Sequence, residues 1–316
     1  MSTSKDKYKV FCQTEYNLPI FFQDWWLDVV TDGNWDVVIV EQDNKIVACW
    51  PYTLSNKYFL KIITMPQFTK MLGCYVVYPK NQKPVNMHPY YKKMVNSLFD
   101  MLPDNDYFSQ NFIYSFTNWM PLYWKGFSQT TKYSYVLEDI KNHDELFLNF
   151  RSNIKTDIKK AIKNKISITE TDDIDIVYKM TAKTFKRQEK RNSLNLDLFR
   201  KLDEKCAKQN KRKIFIATDE SSNIHSAAYV IYDNLSAYYI IGGGDDKLRN
   251  SGATSLLIWE SIKESSIHVD NFDFEGSMIE PIEKFFNGFN GKQKQYFSIK
   301  KSNNFLIKII HTIKDM

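Results

Sequence analysis

The sequence predicts an α/β fold of the α+β kind: two similar halves packed side by side, each a mixed, mostly antiparallel sheet flanked by helices. Three observations predict it. The 316 residues exceed one small α/β unit and suit two domains. Hydrophobic residues at 43% and aromatics at 15% supply enough apolar surface for a core in each half. Alternating strand runs recur beside helical periodicity in both halves, first as hairpin then helix, later as helices, a three-strand meander, and helix, strand, helix, strand. The predicted halves are 1–140 and 141–316.

In the first half, Phe21 to Thr31 reads as a helix, and Asp36 to Glu41 and Ile46 to Leu54 alternate as strands around the turn Asp43-Asn44. A third strand is expected near Tyr58 to Thr64, a helix from His88 to Met101, and strands near Phe108 to Ser115 and Thr130 to Leu137. The second half opens on a basic helix from about His143 to Asn164, where Ile154, Ile158, Ala161 and Ile162 form an apolar stripe beside Lys155, Lys159, Lys160 and Lys163. Helices near Ile174 to Arg187 and Leu196 to Gln209 follow. The meander is Lys213 to Asp219, Ser226 to Tyr232 and Ala237 to Gly242. Helix Gly252 to Ser265, strand Asn271 to Glu275, helix Ile279 to Gly288 and strand Gln295 to Lys300 complete the chain.

Charge and composition exclude several function classes. Apolar stretches such as Ile20 to Val30 and Phe305 to Ile313 fall short of the roughly 20 residues a membrane span needs. Met1 to Tyr8 lacks the pattern of a secretory signal, so a cytoplasmic protein is expected. Cys12, Cys49, Cys74 and Cys206 are scattered without metal-ligand spacing and read as free thiols. His88, His143, His225, His268 and His311 are isolated, so no metal is expected. The net charge of +6 concentrates in Arg151 to Lys165 and Lys183 to Arg191, which read either as solvated faces or as recognition of phosphates on a nucleotide, sugar nucleotide or tRNA. Arg151 is the more directed donor, because its planar guanidinium grips an oxyanion with two bonds.

The strongest chemical signal is Tyr238 to Trp259, YYIIGGGDDKLRNSGATSLLIW. A strand ends in Gly242 to Gly244, turns at Asp245-Asp246, and enters a helix through Arg249, Asn250, Ser251, Gly252, Ala253 and Thr254. The first helical turn leaves N–H groups unpaired, small residues admit a ligand, and the helix dipole favours an anion there. Arg249, Gly252 and Thr254 resemble the acyl-CoA loop of GNAT enzymes, with Thr254 standing where the family has Gly or Ala.

The segments PIFFQDWWLDVV (Pro19 to Val30), YWKGFSQTTKYSYVLEDI (Tyr123 to Ile140), IGGGDDKLRNSGATSLLIWE (Ile241 to Glu260) and FDFEGSMIEPIEKFFNGFNG (Phe272 to Gly291) extend the likeness. Together they resemble bacterial tandem-GNAT proteins grouped with Fem-type peptidyltransferases, often tied to cell-envelope or polysaccharide synthesis. The resemblance implies an N-acyltransferase that moves an acyl group, acetyl for example, from acyl-CoA to an amine on a small molecule or sugar nucleotide. It places the donor loop in the second half and turns Ile240, Ile241 and Gly242 toward the donor. A Fem-like transfer from aminoacyl-tRNA to a peptidoglycan precursor stays open, though Asp172 to Gln209 is too short for the long coiled-coil hairpin of some Fem enzymes. A non-catalytic GNAT-fold ligand-binding protein stays open too.

Amine acylation needs a base for the nucleophile and an acid for the leaving thiol. Asp273 and Glu275, two apart on one strand, are predicted to share a face, and Glu275 at the carboxyl end is the preferred base. Both acids also suit capping of the next turn. Tyr239 is a candidate acid, and Tyr135 a second tyrosine near the site. Trp119 and Trp124 flank Met120-Pro121 in an expected loop and are candidate substrate contacts with Tyr135 and Arg151; core packing explains large aromatics equally well. A bulky residue at Gly252 is expected to block the donor and leave the fold nearly intact.

Overall fold

The computed structural model describes residues 2–304 except Tyr58 and Lys190. Tyr58, at the start of the expected third strand, and the apolar run Phe305 to Ile313 lie outside the described residues. The chain forms two compact units, one running to Lys132 and resuming at Gln295, the other spanning Tyr133–Lys294. This division differs from the 1–140 and 141–316 halves expected from the sequence, because the last strand returns to the first unit.

In chain order the elements begin α1 (Ser4–Thr14), α2 (Asp24–Val30), β1 (Asp36–Gln42), β2 (Lys45–Tyr52), β3 (Leu54–Lys57), β4 (Leu60–Ile63), β5 (Tyr75–Val76) and α3 (Pro84–Asp100). Next come β6 (Tyr107–Asn111), α4 (Met120–Trp124), β7 (Ser128–Glu138), α5 (His143–Asn149), α6 (Ser152–Lys163), β8 (Ser167–Thr171), α7 (Ile174–Arg187) and α8 (Leu196–Lys208). The chain continues β9 (Arg212–Thr218), β10 (Ile224–Tyr232), β11 (Ser236–Gly244), α9 (Ala253–Ser265), β12 (Asn271–Asp273), α10 (Glu280–Asn287) and β13 (Lys292–Ser302). Among the described residues, no helix is long and apolar enough to cross a membrane.

The first unit contains the antiparallel sheet β1-β2-β5 and the strand order β3-β4-β6-β13, with the start of β7 beside β13. Asp43 and Asn44 turn β1 into β2 with φ of 49° and 59°, the left-handed pair that a two-residue hairpin requires. The expected helix Phe21 to Thr31 divides into a short 3-10 turn, Ile20–Phe22, and α2, because Gln23 is extended at the join. α1 escaped the sequence reading; Thr3 caps it by accepting from the Asp6 amide while the Asp6 carboxylate accepts from the Thr3 amide.

The second unit builds one sheet in the order β7-β12-β11-β10-β9-β8, with antiparallel pairs except the parallel β11–β12 pair. α6 and α9 cover the face formed by Phe215, Ala217, Ala228, Val230 and Phe272. The single basic helix expected from His143 to Asn164 breaks at Phe150-Arg151, both extended. Phe150 turns inward, 5.1 Å from the Trp259 ring and 5.2 Å from Phe289, while the Arg151 amide donates to the Gly288 carbonyl at 2.9 Å. Aromatic burial outweighs helical continuity here. Beyond the break, Ile154, Ile158 and Ala161 are buried, but Ile162 is 60% exposed, one position past the inward stripe. Leu256, Leu257, Trp259 and Ile262 of α9 all face inward as the periodicity predicts. β8 gave no sequence signal, since an edge strand of five residues with Ser167, Thr169 and Glu170 exposed looks like a loop.

All four cysteines are free and buried, and burial raises the Cys206 thiol to about 12, which removes it as a nucleophile near neutral pH. Replacing Phe150 by alanine is expected to cost about 3–5 kcal/mol, the usual range for emptying a large buried aromatic site. Equilibrium urea denaturation, read as a lower midpoint with an unchanged slope, checks it.

Candidate active site

β11 and β12 run side by side only over Ser236–Tyr238 and Asn271–Asp273, and β11 then continues alone on that side to Gly244, still bonded to β10 on the other. A register shift leaves Ile240 as a bulge, since Tyr229 faces Ile241 and Val230 faces Tyr239. A bulge adds local twist and re-aims side chains, which suits a strand departing from its neighbour. Among the described residues, the β12-side edge of β11 beyond Tyr238 has no strand partner.

The glycine run answers to packing. A Cβ on Gly243 would fall 2.4 Å from the Met180 carbonyl of α7, and the Gly244 amide donates to Thr184 Oγ1 of the same helix at 3.2 Å. A Cβ on Gly242 would fall 1.7 Å from the Tyr239 hydroxyl, so this glycine makes room for the tyrosine. The Tyr239 ring meets Phe286 with centroids 5.9 Å apart, and burial raises its phenol well above the usual range. Ile241 belongs to the core at 8% exposure, while Ile240 at the bulge is half-buried.

The loop after β11 is braced on α7 by Lys183–Asp245 at 2.6 Å and Arg187–Asp246 at 3.1 Å. Hydrogen bonding from Lys183 and the Lys247 amide holds the Asp245 carboxyl below its ordinary value. A single 3-10 turn, Arg249–Ser251, leads to Gly252, whose φ of +82° favours glycine and opens α9. A Cβ on Gly252 would lie 2.1 Å from the Asp157 carbonyl oxygen of α6. A bulky side chain there displaces α6, so the expectation that substitution spares the fold is overturned.

Ser251 is held from below. Its hydroxyl accepts from the Ala253 amide at 3.3 Å and meets His225 Nδ1 at 2.8 Å, while His225 Nε2 meets Asp219 Oδ2 at 3.2 Å. The Asn223 side chain and amide, then His225, lower the Asp219 carboxyl to about 2. An ionised carboxylate only accepts, so His225 Nε2 is the donor to Asp219. His225 looked isolated in sequence because its partners lie 6 and 26 residues away.

A cleft of about 810 Å³ opens at the start of α9. Arg187, Arg249, Asn250, Thr254 and Ser255 give it a polar wall with Asp157, and Ile279 just before α10 with Pro281, Ile282 and Phe285 of that helix give an apolar one. Among the described residues, the Thr254 and Ser255 amides have no acceptor, and Arg249 makes no hydrogen bond or ion pair. Free first-turn amides with an uncommitted guanidinium make a positive mouth, opposed locally by the Asp157 carboxylate, which accepts from Ser255 Oγ at 3.4 Å. Of the predicted donor residues, Arg249, Asn250, Gly252 and Thr254 reach the cleft; Ser251 and Ala253 support it; Ile240, Ile241 and Gly242 do not line it. The α10 wall was missed because nothing in IEPIEKFF distinguishes a cleft wall from a core face, whereas Arg187 sat within the basic run already singled out.

Asp273 and Glu275 do not share a strand face, because β12 ends at Asp273. Asp273 is buried at 1% exposure, accepts from Ser134 Oγ at 2.6 Å, and accepts from the Glu275 amide at 2.8 Å through the same oxygen. Glu275 and Gly276 take φ of +60° and +55° in a turn pressed on the Tyr133 and Ser134 backbone. Left-handed backbone at a non-glycine residue costs of order 1 kcal/mol and gathers at functional sites.

Tyr135 and Arg151 meet in one polar network: the Tyr135 hydroxyl donates to Glu283 Oε1 and accepts from Gln293 at 3.2 Å, while Arg151 donates to Asn287, which donates to Glu283. Burial, then the Glu283 carboxylate, raises the Tyr135 phenol. Trp119 and Trp124 belong to the first unit and bracket α4 instead of a loop. Trp124 is 59% exposed with the Lys92 ammonium 5.8 Å from its ring, and Trp119 packs edge-on against Tyr123. Among the described residues, no group of three or more His, Cys, Asp or Glu is placed to hold a metal ion.

If the cleft takes a phosphate-bearing donor, with CoA as the probe, Arg249→Ala is expected to weaken its binding about tenfold or more, since a charged hydrogen bond contributes roughly 1.5–3 kcal/mol, with the melting temperature unchanged. Titration calorimetry beside a thermal melt reads both. Gly252→Ala, by contrast, is expected to lower the melting temperature because α6 has to move; an unaltered melt contradicts the Asp157 contact.

Residues 149–276 match the family model of the acetyltransferase (GNAT) domain. No match was found among curated protein sequences. Among solved structures the chain is similar to FemX, with TM-score 0.67 and 12% identity over 98% of this chain and 99% of that one. It is also similar to a tandem GNAT protein from the clavulanic acid biosynthesis pathway, with TM-score 0.53 and 9% identity over 95% and 94% of the two chains. L-PGS from Bacillus licheniformis gives TM-score 0.53 and 8% identity over 98% and 95%. At these identities the structures establish a shared fold, the tandem-GNAT, Fem-like architecture, and the family match shows a GNAT acetyltransferase domain over residues 149–276, within the second unit.

Proposed function

We propose that the protein is an N-acyltransferase that takes an acyl group, acetyl in the simplest case, from acyl-CoA and transfers it to an amine on a small molecule or sugar nucleotide. The observation that carries this reading is the parting of β11 from β12 immediately before a helix N-terminus that opens on a cleft. A parted strand offers amides and carbonyls to an amide-bearing arm, and the α9 N-terminus offers amides to phosphates. Arg249, with Arg187 behind it, neutralises the donor's phosphates, and Ile282 and Phe285 shelter its apolar parts. Asn250 and Thr254 add neutral donors at the mouth.

In the chemical step the uncharged amine nitrogen attacks the thioester carbonyl carbon, and the tetrahedral oxyanion collapses with loss of the C–S bond. Glu275 accepts the proton that the nitrogen sheds, and Asp273 acts through it by fixing the amide of the strained turn. Tyr239 returns a proton to the departing thiolate; burial keeps its phenol protonated beyond its ordinary pKa of 10.0. The sign follows: a raised acid stays loaded as pH rises, so this proton donor is not lost at alkaline pH. Tyr135 and Arg151, joined in one network of the second unit, remain the acceptor contacts of this reading.

Incubation with acetyl-CoA and a panel of amines and amino-sugar nucleotides is expected to give an acetyl mass shift on an acceptor; no transfer across the panel refutes the proposal. Glu275→Gln is expected to depress kcat at least tenfold with CoA affinity preserved, and undiminished turnover moves the base elsewhere. Tyr239→Phe is expected to slow turnover at every pH, while the parent enzyme shows no loss of rate up to about pH 10 from titration of this phenol. Overlap with FemX along the whole chain favours a second reading, transfer from aminoacyl-tRNA. Calorimetric binding of charged tRNA without binding of acetyl-CoA selects it.

A further inference from the structure

The first unit carries a basic sheet face centred on Asn111. Ser298 of β13 stands opposite Asn111 of β6, so their side chains share a face, on which Tyr296 and Lys300 alternate with Ser298. The Asn111 amide donates to the Lys70 carbonyl at 3.1 Å, and its Oδ1 accepts from Lys132 Nζ of β7 at 3.4 Å. The Lys70 ammonium lies 5.6 Å from the centre of the Tyr296 ring, and Tyr114 meets that ring edge-on at 6.1 Å. Lys132 is half-buried, and its ammonium is pushed below its ordinary pKa by desolvation, then by Lys300 and Lys70. Among the described residues no carboxylate pairs with Lys132 or Lys300, whereas Lys183 and Lys292 each have one and Lys213 has two.

Three ammonium groups converging on one face without a carboxylate at Lys132 or Lys300 repel one another and raise the free energy of the empty face; a multivalent anion relieves the repulsion. A solvated strand face explains Lys300, which is exposed, but not a half-buried Lys132 directed at a shared asparagine. We propose that Lys70, Lys132 and Lys300, with Asn111 and the Tyr114–Tyr296 pair, bind the phosphate or diphosphate group of the acceptor. The aromatic pair supplies an apolar surface for a ring attached to that group. Assignment to the acceptor rests on the acyltransferase reading; the anion site itself does not.

Titration calorimetry of the full chain at low salt, with inorganic pyrophosphate, UDP-N-acetylglucosamine and CoA as separate probes, tests it. Both the pyrophosphate and the sugar nucleotide are expected to bind, the sugar nucleotide at least tenfold tighter, and Lys132→Met is expected to weaken both tenfold or more while CoA affinity stays unchanged. Lys300→Met, on an exposed side chain, is expected to weaken both with an unchanged melt, which separates loss of the site from loss of the fold. Absence of pyrophosphate binding at millimolar concentration, parental affinity in both lysine variants, or loss of binding on Arg249→Ala in its place overturns the site. Equal affinity for the two phosphates overturns the acceptor assignment alone. Failure of the acyltransferase reading registers separately, as lack of acetyl transfer with pyrophosphate binding intact.

Discussion

The divergence of β11 from β12 is the constraint on which the second unit's site depends. Two parallel strands that stayed paired would consume the backbone groups of β11 from Tyr239 to Gly244 in a ladder; here the pairing stops at Tyr238 and Asp273. Three features hold the strands apart. The bulge at Ile240 twists β11, α7 presses its backbone onto Gly243, and Tyr239 lays its hydroxyl against Gly242. β12 ends at once in the left-handed turn Glu275-Gly276, clamped by Asp273, so it cannot follow β11 outward.

The start of α9 is fixed by backbone contact as firmly as by side chains. The Asp157 carbonyl of α6 fills the space beside Gly252, and α6 is itself anchored by its buried stripe and by Phe150 against Trp259 and Phe289. Ion pairs from α7 hold the loop acids, and the Asp219–His225–Ser251 chain holds the turn before the helix. With those neighbours satisfied, the free amides of Thr254 and Ser255 and the uncommitted Arg249 are left facing the cleft. A site whose remaining unpaired groups all point at one volume is preorganised, and preorganisation is what lets fixed donors stabilise charge without reorganising.

On the two proposals above, a GNAT fold with a separate basic face in its first unit would give one chain two anion-recognising surfaces of different chemistry. The α9 mouth presents backbone amides and guanidinium groups, which suit planar, bidentate recognition; the Asn111 face presents ammonium groups as point charges. That difference is a basis for telling two phosphorylated ligands apart without relying on their phosphates alone.

The helices α7 and α9, the β9–β11 meander and the glycine-rich loop that opens α9 were legible in the sequence because each is specified locally. Apolar residues recur at helical spacing, polar turns punctuate strands, and the pattern Arg249 to Thr254 places small residues where a helix begins. Longer-range facts were not legible. The break at Phe150 depends on an aromatic pocket made by Trp259 and Phe289, more than 100 residues away in sequence, and the separation of Asp273 from Glu275 depends on where β12 loses its partner. His225 gains a role only when folding brings it between Asp219 and Ser251. The sequence by itself determined which segments could be helix, strand or anion-binding turn, since propensity and period act over a few neighbours. The tertiary structure decided which glycines serve packing, which acid is locked and which lysines converge, since those outcomes turn on contacts between segments that no local pattern encodes.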